Sequence, residues 1–262
     1  MRHSYYTNLV RYMRIINFVS SNYKTMHQDL KAFYQTLVEE KVFDSAPEDT
    51  VSRLAVLFPQ EVCFSTSFSM EDQVITDLLK NSDVKIFTLD TGRLFEETYN
   101  TWTLTNSKYQ RSIKAYYPDQ NELEPFVQER GPDSFYTSVE NRKQCCHIRK
   151  VQPLKRALQG NKVWITGLRA EHSPDRENLL QLEWDESNQI IKYHPLLYWT
   201  TEDVKNYIRK HDIPYNILHD KGFLSIGCAP CTRAIQPGED FRAGRWWWED
   251  ANKKECGLHV HK

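Results

Sequence analysis

Two kinds of segment alternate along this chain, and that alternation confines the fold to an open α/β sheet. Short apolar runs at Val62–Phe64, Lys85–Leu89, Ser112–Tyr117 and Val163–Thr166 read as strands. Between and around them, apolar residues recur at helical spacing over 30–40, over 50–58 up to Pro59, and over Asp72–Leu79, Leu94–Asn106 and Glu122–Arg130. In Asp72–Leu79 the residues Val74, Ile75, Leu78 and Leu79 share one face. Leu180–Trp184 and Ile190–Tyr193 flank Asp185–Gln189 as a hairpin. Thr200-x-x-Asp203 is a capping box that opens a helix over Val204–His211, which Asp212 to Pro214 terminates. Strands in alternation with helices predict a mostly parallel sheet with helices on both faces. The ligand crevice of such a sheet lies beyond the carboxyl ends of its strands, where Ser65–Glu71, Asp90–Arg93 and Gly167–His172 follow strands here.

The 262 residues divide into an extension over 1–28, an α/β domain over 29–235 and a C-terminal tail over 236–262 expected to be mobile. Neither an internal repeat nor a low-complexity linker is present. The extension has Arg2, Arg11, Arg14 and Lys24 and no acidic residue before Asp29, as organelle transit peptides do. The plainer reading, with Met13 or Met26 as the true start, is preferred and gives a cytoplasmic protein, with organelle import as the minority reading. A formal charge of −1 gives no global argument for binding nucleic acid or membrane. No apolar run reaches the roughly 20 residues of a membrane span. The sequence leaves a homo-oligomer open.

In a reducing compartment the six cysteines, Cys63, Cys145, Cys146, Cys228, Cys231 and Cys256, point to metal binding or catalysis rather than to disulfides. Cys228-Ala-Pro-Cys231 and the adjacent pair Cys145-Cys146 suit a Cys₄ zinc site or an iron–sulfur cluster. A thioredoxin-like dithiol is the other reading of the CxxC. The stretch from Asn141 to Arg156 carries Arg142, Lys143, Arg149, Lys150, Lys155 and Arg156 without an acid. Some of these cations belong to solvated helix faces. Lys150, one helical turn beyond Cys146, is the candidate for holding an anion beside a negatively charged thiolate cluster.

Two further segments carry chemistry. The turn Ser65-Thr66-Ser67-Phe68-Ser69-Met70-Glu71-Asp72 places hydroxyls before a helix N-terminus, which suits an anion or simple capping. In the tail, Cys256 sits between Lys254 and His259 after Arg242-Ala-Gly-Arg245-Trp246-Trp247-Trp248. A lowered pKa would make Cys256 a nucleophile; the plain alternative is a surface cysteine on a tail docked by tryptophans.

Taken in order, these motifs resemble the assimilatory adenylylsulfate (APS) reductases of the APS/PAPS reductase group, from about residue 50 onward. The residues that carry the resemblance are the Ser-rich turn, Leu89-Asp90-Thr91-Gly92-Arg93, Cys145-Cys146, Gly167-Leu168-Arg169, Gly227-Cys228-Ala-Pro-Cys231-Thr232-Arg233, Gly244–Trp248 and Glu255-Cys256-Gly257-Leu258-His259. The resemblance implies the PP-loop ATP-pyrophosphatase fold and reductive cleavage of APS in sulfate assimilation and cysteine biosynthesis. Cys256 would attack the sulfur, release AMP and become an S-sulfocysteine, from which thioredoxin or glutaredoxin frees sulfite. By similarity Lys150, Arg242, Arg245 and His259 would contact the phosphosulfate. Backbone at Leu89 and Gly167 would hold the adenine, with Ser65, Ser67 and Arg176 completing the site. Cys145, Cys146, Cys228 and Cys231 would ligate a [4Fe–4S] cluster that acts electrostatically through the neighbouring lysine. Ser69 stands where many relatives have Gly, and the first 28 residues match nothing in the group. Plant-type members carry a thioredoxin-like domain after this point; none follows His259, so a separate reductant is expected.

The nearest alternative is a PAPS reductase or a dual enzyme, although PAPS-specific members usually lack the four cysteines. A PP-loop ATP-dependent tRNA thiolase and a non-catalytic zinc module are more distant.

Overall fold

The computed structural model describes residues 29–39, 46–172 and 179–249. Helices α1 (Leu30–Glu39) and α2 (Pro47–Leu57) precede β1 (Val62–Thr66), α3 (Met70–Leu78), β2 (Lys85–Leu89), α4 (Glu96–Tyr109), β3 (Lys114–Tyr116) and α5 (Gln120–Arg130). There follow α6 (Val139–Cys146), a π-helical turn (His147–Val151) running into α7 (Gln152–Leu158), β4 (Val163–Ile165), β5 (Leu182–Asp185), β6 (Ile190–Tyr193) and α8 (Thr201–Lys210). The strands form one sheet in the order β3-β2-β1-β4-β6-β5, parallel except for β5, which runs antiparallel to β6 as the expected hairpin.

Strand residues alternate between two cores, as a two-faced sheet requires. Val62 and Phe64 of β1, Val163 and Ile165 of β4, and Ile191 and Tyr193 of β6 join the larger core with α1, α2, α3 and α8. Cys63, Phe87, Trp164 and Ile190 point the other way and are covered by Leu154, Ala157 and Leu158 of α7. The chain builds outward from β1 through β2 to β3, then returns to place β4 on the other side of β1. The reversal between β1 and β4 is the switch point at which such sheets bind ligands. The Ser65 turn and the Gly167 loop leave the sheet there.

Helix α3 differs from the amphipathic pattern in one respect. Its polar residues Glu71, Asp72, Gln73, Thr76 and Asp77 are buried along with Val74 and Ile75. Three of these residues find long-range partners, while Asp72 bonds Ser67 and Thr76 bonds the Asp72 carbonyl. Gln73 donates to Thr105 Oγ1 and to the Pro214 carbonyl, Tyr109 and Tyr207 donate to Asp77, and Glu71 meets Arg169. On α8 the capping box is complete, Thr200 and Asp203 each bonding the other's backbone N–H.

The stretch after Cys231 is irregular, as expected, but it is anchored as far as Glu249. Thr232 and Arg245 form an antiparallel bridge, Arg233 N–H donates to the Gly244 carbonyl at 3.0 Å, and Trp246 N–H donates to the Cys231 carbonyl at 3.1 Å. Trp246 is fully buried. A bulky indole next to a backbone pairing supplies apolar area that glycine and proline content alone does not reveal.

Candidate active site and cysteine centre

Ser65, Ser67, Leu89, Lys150, Gly167 and Arg242 line one cleft beyond the carboxyl ends of the strands. Its first wall is the turn from β1 to α3. Phe68 takes a left-handed conformation (φ 61°), stacks on Trp102 at 5.5 Å, and donates its N–H to Thr66 Oγ1 at 3.0 Å. Ser69 occupies the N-cap of α3 but gives no side-chain cap bond. Instead the Asp72 carboxylate accepts from the Ser67 backbone N–H at 2.5 Å and from Ser67 Oγ at 2.7 Å. Burial, which these bonds only partly offset, pushes the Asp72 carboxyl up to about 7.

Gly167 forms the opposite wall. A Cβ there would lie 2.2 Å from Asp72 Oδ1, so only glycine lets the two loops meet. Beside it, Arg169 holds Glu71 at 3.0 Å and His172 Nε2 at 2.5 Å, and the His172 ring stacks on Phe241 at 4.0 Å. Burial acts to raise the Glu71 pKa, but the His172 and Arg169 contacts outweigh it and bring it down to about 2.

The Asp90–Arg93 turn joins the cleft to the cysteines. Asp90 Oδ1 accepts from Gly92 N–H at 2.8 Å and from the Tyr99 hydroxyl at 2.9 Å. Thr91 Oγ1 lies 3.3 Å from Cys228 Sγ, and Arg149 Nη1 donates to the Thr91 carbonyl at 2.6 Å. Cys145, Cys146, Cys228 and Cys231, all unbridged, line one small cavity with Arg93, Phe135, Arg142, Arg149 and Lys150. Cys145 and Cys146 end α6, whereas Cys228 and Cys231 flank a 3₁₀ turn closed by Cys231 N–H to the Cys228 carbonyl at 2.9 Å. Among the described residues no three His, Cys, Asp or Glu converge on a point that one metal ion could fill. The four thiols surround a space instead.

Charge around that space is positive. Burial opposes ionisation of Cys228, yet Lys150, the Thr91 hydroxyl, Arg245 and Arg149 together draw its thiol below the ordinary value. Burial and then the Cys228 charge push Cys231 up to about 12, and burial raises Cys145 despite Arg149. The Nε of Arg149 and the indole N–H of Trp246 are buried without a hydrogen-bond partner among the described residues. A polyanionic group with sulfur acceptors fits a cavity lined by four thiols, several cations and the orphaned Arg149 donor.

Lys150 belongs to both sites, lining the cleft and the cysteine cavity. It sits in the π-helical turn, whose wider spacing keeps it one turn beyond Cys146. Arg245 is not on the cleft surface. Its guanidinium packs beneath Gly227, where a Cβ would come within 2.3 Å of Nη2, and it donates to the Ile226 carbonyl at 3.3 Å. Cys256, His259 and Arg176 lie outside the described residues. Thr91 has its local signal in the Asp90-Thr91-Gly92 turn and Arg142 in the basic run, whereas the His172–Phe241 stack has none in the sequence.

A family model described as "Phosphoadenosine phosphosulfate reductase domain" matches residues 61–234. The chain is 48% identical over 200 residues to the adenosine 5′-phosphosulfate reductase of Allochromatium vinosum, covering 76% of this chain and 78% of that one. It is 47% identical over 218 residues to the protein of the same name from Burkholderia cepacia, covering 80% and 87%. Among solved structures it is similar to the phosphoadenylyl-sulfate (PAPS) reductase of Candida auris, with a TM-score of 0.65 and 29% identity over 78% of this chain and 97% of that one.

Proposed function

This chain belongs to the phosphoadenosine phosphosulfate reductase domain family, and on that premise we propose that it reduces adenylyl sulfate to sulfite and AMP in sulfate assimilation. The observation that carries the reading is the adjacency of a cleft at the switch point to a four-cysteine cavity, with Lys150 on the wall of both.

The nucleotide lies in the cleft, its adenine against the backbone of Leu89 and Gly167, with Ser65, Ser67 and Arg176 completing the pocket. Lys150, Arg242 and His259 surround the phosphosulfate, and Arg245 adds its charge from beneath Gly227. Their charge lowers the barrier by stabilising the phosphate as it departs. The thiolate of Cys256 attacks the sulfur; an S–S bond forms as the S–O bond to phosphate breaks, and AMP leaves with the bonding pair. A dithiol reductant, thioredoxin or glutaredoxin, then attacks Cys256, expels sulfite and is left as a disulfide. Cys145, Cys146, Cys228 and Cys231 hold a [4Fe–4S] cluster, which when bound supplies a local electrostatic field. A cavity rather than a single convergent point, the orphaned Arg149 donor and a cationic wall support that assignment over a single zinc.

The test is sulfite release by anaerobically purified protein with thioredoxin, comparing APS with its 3′-phosphorylated counterpart. A strong preference for APS is expected; preference for the phosphorylated substrate would keep the chemistry and reassign the substrate. Cys256→Ser should abolish sulfite release and leave AMP binding intact. Appreciable turnover in that variant would remove Cys256 as the nucleophile.

A further inference from the structure

A line of buried polar contacts crosses four strands and ends in the cleft. It starts at Asp185, which closes the β5–β6 hairpin by accepting from the backbone N–H groups of Ser187 and Asn188 and from the Asn188 side chain. Asp185 also holds Lys192 at 2.8 Å, both side chains only 4% exposed. Burial acts against ionisation of Asp185, but Lys192 and Asn188 keep its carboxyl below the ordinary value.

Lys192 pairs with Trp164 across β6 and β4, and its ammonium sits over the indole, 5.1 Å from the ring centre. Such a cation fixes the ring plane and withdraws density from it, which strengthens the indole N–H as a donor. That N–H donates to Ser65 Oγ at 2.8 Å. Indole nitrogen is donor-only, so Ser65 must accept here. Among the described residues Ser65 Oγ has no partner to which it donates, and it faces the cleft.

We propose that Trp164, clamped by Lys192, is a positioning residue that fixes Ser65 as a hydrogen-bond donor to the nucleoside, so that the cleft selects a nucleotide with an acceptor at that point. The inference rests on the reading of the cleft as an adenine-nucleotide site. It gives a task to a buried ion pair that the reduction chemistry does not use.

The test is AMP binding by calorimetry to the full chain, wild type against Ser65→Ala, Trp164→Phe and the double variant. Each single change should weaken AMP about 3- to 10-fold, the worth of one neutral hydrogen bond. The double variant should be no weaker than Ser65→Ala alone, because Trp164 acts only through Ser65. In turnover, Trp164→Phe should raise KM with kcat retained, the sign of a contact made equally in ground and transition states. Additive losses, or unchanged binding by Trp164→Phe, would overturn the proposal. Failure of the wild type to bind AMP would instead overturn the nucleotide reading beneath it. Should Trp164→Phe not fold, Lys192→Met with Asp185→Asn preserves the packing. Its loss of affinity should appear with Ser65 present and vanish in the Ser65→Ala background; an equal loss in both backgrounds would overturn the relay.

Discussion

Arg142 grips Glu249 through two parallel hydrogen bonds, Nε to Oε1 at 2.9 Å and Nη2 to Oε2 at 2.7 Å, with side-chain exposures of 0% and 3%. The guanidinium also lies 4.6 Å from the ring centre of Trp246. Arg142 is on α6, the helix that ends in Cys145 and Cys146. The contact therefore fastens the C-terminal segment to the cysteine-bearing helix. Breaking a buried pair from one side leaves a stranded charge, which costs about 3–5 kcal/mol. Glu249→Ala should lose that much stability in urea unfolding, and Glu249→Gln, which keeps an acceptor, should lose less.

Lys150 lines both the cleft and the cysteine cavity. Lys150→Met keeps the aliphatic stem and removes the charge. Sulfite release should fall on the order of 10²–10³-fold, the usual loss when a preorganised group that stabilises transition-state charge is removed. Iron content should match wild type. A near wild-type rate would reject the proposed role, and lost iron would make Lys150 a structural partner of the cysteines.

Much of this architecture was legible because the signals are local. The β2 bounds, Lys85–Leu89, follow from a short stretch around Ile86, Phe87 and Leu89 that ends at the Asp90-Thr91-Gly92 turn, and the hairpin and the Thr200 capping box from short-range turn chemistry. The four cysteines announced themselves by spacing. What stayed hidden depends on tertiary partners. Glu71, Asp72 and Gln73 lie outside the apolar face that the spacing marks, yet they are buried against Arg169, Ser67 and Thr105, which lie far off in sequence or in a turn. Arg142 and Arg149 belong to a basic run that suggests a solvated face, but both are buried. The His172–Phe241 stack joins two residues with no shared pattern. Nor does composition reveal that the turn after Cys146 widens into a π-helix.

Two glycines separate catalysis from folding. At Gly244 a Cβ would lie 2.3 Å from the Arg233 carbonyl oxygen, a backbone atom that cannot step aside. At Gly227 it would lie 2.3 Å from the end of the Arg245 side chain, which can be displaced. Gly244→Ala should be destabilised by roughly 1–3 kcal/mol, the range for overpacking. Gly227→Ala should fold normally and retain iron while its kcat/KM falls on the order of 10²-fold, as a misplaced charge contact does. Thermal melts and steady-state kinetics on both variants check the contrast; equal stability losses would deny Arg245 a positioned role.

Asp72 should make stability depend on pH in the opposite sense from an ordinary carboxylate. Its folded pKa is raised to about 7 from an ordinary 3.8. Between those values the folded chain keeps a proton that the unfolded chain has released, so stability falls as pH rises through that window and levels off above it. Glu71 works the other way. Its pKa is brought down to about 2 from 4.5, so its contribution is complete above pH 4.5 and is lost only in acid. Above pH 5 its share is constant. Asp72→Asn cannot ionise and keeps an oxygen for Ser67. From pH 5 to 7 the variant should therefore gain on wild type by at most about 1.4 kcal/mol per pH unit, then hold level. Urea unfolding of both chains at half-unit intervals from pH 5 to 8 measures the difference. A gap that stays flat would mean Asp72 is ionised throughout, its charge stabilised by the Ser67 bonds at least as much as burial penalises it.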